Sequence, residues 1–332
     1  IVYIGTFYLD KWESKSINEA EFSAYDAIAI LETFTFLGGY YGSPVINSED
    51  LIDEIFTAAG IDYELDPTLS GIVVKGVIQY LTNCREALQQ TLFYLGAYAT
   101  CARSGIIRIL PLPEVPGATG NDYELTSANK GILSPLTLRP FVTGVEIRQT
   151  TYVAHDTGNL LYSDTLGVGS HFISLTNSSE KNIPSGISQS GTATFTITKN
   201  RKYYIIVNVT VAGTVIITEV SKNTHSDTIV GEYNPSLPAG AQQNILSIDD
   251  ATLMISATGG TISTAQVAER IYDYYQRRFL QKTKLFASLM TVGNSVLVDV
   301  QGGQQMSGIV EKMITDLAGG FVSNVEIIGD IV

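Results

Sequence analysis

Cysteine, histidine and charge are all scarce in this sequence, and each shortage closes off a class of function. Cys84 and Cys101 are the only thiols in 332 residues, too few for the disulfide framework of a small secreted scaffold. They read as two buried, reduced side chains, which fits cytoplasmic synthesis, although a single Cys84–Cys101 bridge stays open. The three histidines, His155, His171 and His225, lie far from the cysteines and show no ligand spacing, so no metal site is expected. No run reaches the roughly 18 uninterrupted apolar residues of a membrane span; the longest apolar patch, Leu88 to Ala102, is broken by Gln89, Gln90, Gly96 and Thr100. The opening Ile1-Val2-Tyr3-Ile4 has no initiator methionine, and no basic segment or cleavage site follows. It reads as a strand already under way in a fragment or processed product.

Charged residues make up 16% of the chain, against about 25% in a typical soluble domain. Such a deficit points to surface covered by other subunits. Acidic residues number 33 and basic ones 20, for a net charge of -13. A protein that tracks phosphates needs a basic footprint, and this balance argues against direct nucleic-acid affinity. What is present in ordinary measure is apolar side chain, 45%, which excludes wholesale disorder. The length accommodates two or three domains.

Hydrophobic period and punctuation divide the chain. Two strands, Val2 to Trp12 and Glu19 to Ser23, flank the turn Ser16-Ile17-Asn18, with Phe7 and Leu9 alternating with Tyr8 and Asp10. Ala24 to Thr33 shifts to a short helical spacing, and Gly38-Gly39 with Gly42-Ser43-Pro44 marks a loop. A helix is predicted over 48–59: Asn47 or Ser48 caps it, Glu49, Asp50 and Asp53 favour its positive end, and Leu51, Ile52, Ile55, Phe56 and Ala59 form its stripe. Gly60 stops it. A second helix covers about 84–97, opened by Asn83 with Glu86 three residues on. Ile106 to Leu110 is a strand closed by Pro111, Pro113 and Pro116, and residues 111–135 are a connection rich in proline, glycine and asparagine.

Phe141 to Val153 restarts the strand pattern. From 153 to about 248 serine, threonine, glycine, asparagine and β-branched residues dominate, and the segment reads as an all-β module. The longest helix is predicted over 264–282, on the spacing of Val267, Ile271, Tyr274, Tyr275 and Phe279. Three strands follow, turning at Gly302-Gly303 and Gly319-Gly320.

Chemistry-bearing motifs are sparse. Gly186 to Gly191 misses the nucleophile elbow by one residue and reads as a Ser/Gly-rich loop, while His155-Asp156 reads as an exposed turn. The close carboxylate pairs Asp10 with Glu13, Glu49 with Asp50, and Asp249 with Asp250 are the candidates for glycosidic chemistry, but adjacency in sequence does not put both on one sugar. Eighteen tyrosines, with doublets at 40–41, 203–204 and 274–275, suit core packing and subunit contacts. On a helix Tyr274 and Tyr275 point about 100° apart, one to pack and one to be exposed. No catalytic residue, cofactor site or metal ligand is assigned.

Several segments resemble one family. Thr6 to Leu31, with Asp26-Ala27-Ile28 and Leu31, looks like the N-terminal region of tail and baseplate hub proteins from phages and prophages of Gram-positive bacteria. Asn83 to Pro111 resembles that family's "REALQQ" helix and following strand pair, with Arg103-Ser104 at the turn. Phe141 to Glu146, Ala268 to Arg277 and Gly319 to Ile328 are similar to its reopening strand, "AERIYDYY" helix and final hairpin.

The resemblance implies an α+β, multi-domain chain built from small antiparallel β-barrel-like domains with packed helices, plus an inserted all-β module. The expected division is a first hub domain at 1–112, a linker at 113–135, a second barrel-like domain from 136–152 and 249–332, and the module at 153–248. It also implies a non-enzymatic virion tail protein assembled in the bacterial cytoplasm, of a phage or contractile injection system. Such a protein is a homo-trimer whose partners are the tail tube and other baseplate or tail-tip proteins. DNA passes through its lumen without specific binding. Longer relatives carry a C-terminal hydrolase, whereas this chain is expected to stop after the last barrel strand. The net charge suits a passage that repels a sliding polyanion. The alternative is a carbohydrate- or cell-surface-binding module using residues 153–248, which an exposed aromatic cluster there would favour.

Overall fold

In the computed structural model the chain is mostly β, 53% strand and 18% helix. The structure describes residues 5–101, 104–126, 131, 135–156, 158–175, 182–237, 240, 242–251, 253–254, 262–286, 290–300, 303–316 and 322–332. Arg103, Gly302 and Gly319 to Phe321, used in the sequence reading, lie outside them. Two compact units emerge: Ile1–Leu110 with Ile147–Gly231 and Ile248–Thr264, and Pro111–Glu146 with Glu232–Ser247 and Ala265–Val332.

Among its described residues the first unit holds three α-helices. In α1 (Ala27–Ile30) the Asp26 carboxylate accepts the Ala29 N–H at 2.8 Å. Helix α2 (Ser48–Ala59) buries the expected stripe of Leu51, Ile52, Ile55, Phe56 and Ala59. Asn47 occupies its cap position without a side-chain bond, while the Ser48 hydroxyl donates to the Leu69 carbonyl at 2.6 Å. Helix α3 (Cys84–Leu95) starts where the Asn83 side chain accepts the Glu86 N–H at 2.8 Å. Both longer helices end on a left-handed glycine, Gly60 at φ 65° and Gly96 at φ 66°, the conformation that closes the last turn.

Gly39–Asn47 is a strand, not the loop its glycines and proline suggested. It pairs antiparallel with Val73–Ile78, and the register shift between Tyr41 and Ile46 absorbs the irregular residues as a bulge. Leu253–Met254 extends this sheet on the far side of Val73–Ile78.

The β-rich part of the first unit packs strands around Leu161, Ile173, Leu175, Ile205, Val207, Val209, Val215 and Ile217. One three-stranded sheet runs Gly169–Ser174, Tyr204–Val211, Thr194–Asn200, all antiparallel. Residues 186–191 are not a loop. They lie in the strand Asn182–Gly191, held against Gly213–Tyr233 from Ile187↔Glu219 to Gly191↔Val215. His155 and Asp156 likewise close a strand, Gly144–Asp156, rather than a turn.

In the second unit helix α4 (Thr264–Gln276) stops well short of residue 282. The apolar spacing through Phe279 belongs instead to the strand Phe279–Phe286, which pairs along its whole length with Val322–Ile331. The six-stranded sheet has the order 123–125, 295–299, 305–316, 322–331, 279–286, 137–138. Its core includes Leu125, Val296, Val298, Met306, Val310 and Ile327. Among the described residues no sheet closes into a barrel. Closure needs hydrogen bonding all the way round, and this sheet ends on short edge strands of three and two residues, Tyr123–Leu125 and Thr137–Leu138.

A Cβ at Gly60 would meet no atom within 4 Å, so Gly60→Ala tests conformation alone. It should lower stability by about 1–2 kcal/mol, measured by urea unfolding.

Candidate assembly surfaces

Several of the residues singled out for chemistry are taken up by structure. Asp10 accepts the Ser23 hydroxyl at 3.3 Å. Glu49 accepts the Gly71 N–H at 2.7 Å and the Ser48 hydroxyl. Burial works to raise its pKa, but these hydrogen bonds prevail and hold it below the usual carboxylate value. Asp249 lies 3.7 Å from Arg148 at an exposed site. His171 bonds the Gly167 carbonyl at 2.8 Å, and the side chains of His155 and His225 lie outside the described residues. Cys84 and Cys101 form no disulfide, and burial pushes both thiols up. Among the described residues no group of three or more His, Cys, Asp or Glu side chains is placed to hold a metal.

What the molecule offers instead is surface. The strands Tyr8–Ser16 and Glu19–Tyr25 form a hairpin exposed on both faces along almost its entire length. Leu9 and Trp12, three residues apart, would lie on opposite faces of a regular strand. A register shift at Asp10 corrects this: Leu9 stands opposite Ala24, Trp12 opposite Phe22 and Ser14 opposite Ala20, all on one side. Lys11, Glu13, Glu21 and Ser23 take the other, where Lys15 pairs with Glu21. The apolar side is strongly exposed, with Leu9 at 62%, Trp12 at 65% and Phe22 at 71%. An isolated hairpin is marginal in water, and a contiguous exposed apolar face marks an interaction site. The sequence showed the strands but not the bulge.

A second feature missed from sequence fixes the β-rich residues onto α2. At Asn200–Tyr204 the chain turns through Lys202, whose φ is 66°, with the Asn200 side chain accepting the Lys202 N–H at 3.0 Å. This aims Arg201, 7% exposed, at Glu54, 2.7 Å away, and Lys199 reaches the same oxygen at 2.8 Å. The guanidinium also lies 4.5 Å over the Tyr41 ring. The Tyr40 N–H donates to the Arg201 carbonyl at 2.9 Å. A Cβ at Gly39 (φ 121°) would lie 2.6 Å from Arg201 Cβ, so only glycine permits this approach. Burial and then the Glu54 charge push the Tyr204 phenol up to about 12.

In the second unit the Tyr274 hydroxyl donates to Glu311 at 2.7 Å, and Arg139 pairs with the other Glu311 oxygen. Burial first, then this bond, pushes Tyr274 up to about 12. Tyr274 and Tyr275 meet edge to face at 5.6 Å. Both are half-buried, rather than one packed and one exposed, because α4 buries only Val267 and Ala268 fully.

No protein-family model and no curated protein matches the sequence. Solved structures do match. The tail protein from Neisseria meningitidis MC58 aligns with 98% of this chain and 80% of its own, at TM-score 0.54 and 9% identity. The chain has the fold of a tail protein. Prophage tail protein gp18 from Listeria monocytogenes EGD-e covers 98% of this chain and 76% of its own, at 9% identity. The 43 kDa tail protein of prophage MuSo2 from Shewanella oneidensis covers 97% and 78%, at 10%; both have TM-score 0.49. The likeness to tail proteins read from the motifs is therefore met by the fold.

Glu54→Gln leaves Arg201 buried without a counter-charge and should cost about 3 kcal/mol, read by urea unfolding at pH 7. Tyr204 and Tyr274 keep their protons to higher pH folded than unfolded. Their contribution is therefore full below pH 10 and is lost as pH rises toward 12. Stability should fall across that window, and the fall should be shallower in Tyr204→Phe and Tyr274→Phe.

Proposed function

We propose that the chain is a structural subunit of a phage-like tail, acting at the baseplate hub where the tube meets the distal tip. The observation that carries the reading is the tail-protein fold over 98% of the chain. In this reading three copies surround a passage through which DNA slides without specific binding. The β-rich residues 153–248 sit peripherally as a decoration. The subunit joins the virion tail from the bacterial cytoplasm, its partners are the tube and other tail-tip proteins, and it performs no catalysis. A net charge of -13 and only 16% charged residues suit a polyanion passage and large subunit interfaces.

The carbohydrate-binding alternative called for an aromatic cluster on 153–248. Among the described residues of that segment the strongly exposed ring is Phe172, and it stacks on Tyr204 at 5.0 Å. That single ring does not favour the alternative.

Negative-stain microscopy of concentrated protein should show threefold rings with an open centre. Monomers at every concentration, together with selective binding on a glycan array, would refute the hub. Trp12→Ser with Phe22→Ser should abolish the rings while shifting unfolding free energy by no more than about 0.5 kcal/mol, because both side chains are exposed.

A further inference from the structure

In a chain of net charge -13, one face of the six-stranded sheet is basic. Three neighbouring strands build it in two rows. Lys282, Glu326 and Lys312 stand opposite one another in the first row, and Lys284, Asn324 and Ile314 in the second. All three lysines are exposed, and so is Ile314, at 55%. They line a shallow groove of about 180 Å³. The Lys282 ammonium donates to Glu326 at 2.9 Å, and the Glu326 pKa is lowered by that bond with further help from Lys312. Lys284 and Lys312 make no ion pair among the described residues.

The counterpart lies in the first unit. Residues 48–66 carry seven carboxylates and no lysine or arginine. Glu54 is consumed by Arg201 and Lys199, Glu64 pairs with Arg108, and Glu49 binds the Gly71 N–H. Asp50, Asp53 and Asp62 stay exposed. Asp50 and Asp53 both act on Tyr63, raising its pKa behind burial, so they crowd one corner at the start of α2.

We propose that the lysine face of one copy docks on the α2 acidic corner of a second copy. Charge decides the occupant. Copies that each carry -13 repel one another as wholes, and a basic patch meeting an acidic one offsets that repulsion locally. A phosphate backbone is a poorer fit, because Glu326 stands between Lys282 and Lys312 and Ile314 offers an apolar contact that phosphates do not use. Different patches meet on the two copies, so the contact is head-to-tail and closes into a ring or runs on as a filament. The proposal rests on the structural role above and names the surface that carries it.

The test is charge reversal followed by sedimentation velocity in low salt. Lys282→Glu, Lys284→Glu and Lys312→Glu together should weaken self-association by more than about tenfold. Asp50→Lys with Asp53→Lys should do the same, and mixing the two variants should restore it. Raising salt to 0.5 M should weaken the wild-type contact. Reversing Asp50 and Asp53 also puts cations at the positive end of α2, so a far-UV circular dichroism spectrum matching wild type below each variant's unfolding temperature separates lost contact from lost fold. Association that survives the lysine reversal overturns this contact and leaves the structural role standing. A mixture that fails to recover, a wild type that never associates, or a labelled DNA duplex retained by wild type and released by the lysine variant each overturns it as well. Rescue in open filaments rather than closed rings supports the contact and counts against the hub.

Discussion

Arg201 is a buried cation, and the first unit is organised around making it tolerable. A guanidinium removed from water is strongly destabilising unless a carboxylate and further hydrogen bonds meet it. Here Glu54 supplies the charge, the Tyr41 ring covers one face, and the backbone on both sides of Arg201 is itself bonded. Glu54 lies on a helix and Arg201 in a turn between strands, 147 positions apart. Neither can satisfy the other until both elements are in place. The ion pair therefore selects one arrangement of the β-rich residues on α2, whatever its net energy. Gly39 belongs to the same constraint, since a side chain there would displace the arginine backbone.

With that interior fixed, the informative features lie outside. The hairpin is amphipathic and uncovered on both sides. The lysine face is the concentration of positive charge on the long strands of the second unit, and the acidic corner gathers carboxylates at the start of α2. None of these surfaces stabilises the single chain much, because exposed ion pairs contribute little and exposed apolar rings contribute nothing until covered. Their arrangement makes physical sense as provision for neighbours.

Legibility from sequence followed the range of the interactions. Helices α2 and α3 were readable to within a residue or two because their caps are local: carboxylates in the first turn, an apolar stripe, and a glycine past the end. The last helix was overdrawn because Phe279 continued a helical spacing that strand pairing with Val322–Ile331 overrode. Gly38-Gly39, Gly42-Ser43-Pro44 and Gly186 to Gly191 read as loops, because glycine, serine and proline look like turns until a partner strand is known. The tail-protein likeness was visible because it rests on packing motifs spread along the chain. The surfaces were not, since Arg201 with Glu54, and Lys282 with Lys312, are brought together only by tertiary pairing.

The extra residue at Asp10 sets the character of a whole surface. By shifting the register it gathers Leu9, Trp12 and Phe22 on one side and sends Lys11 and Glu13 to the other. Deleting Asp10 would leave Leu9 and Trp12 two positions apart, on one face of a regular strand, so the two sides would keep their chemistry while the local bend and extra twist of the bulge were lost.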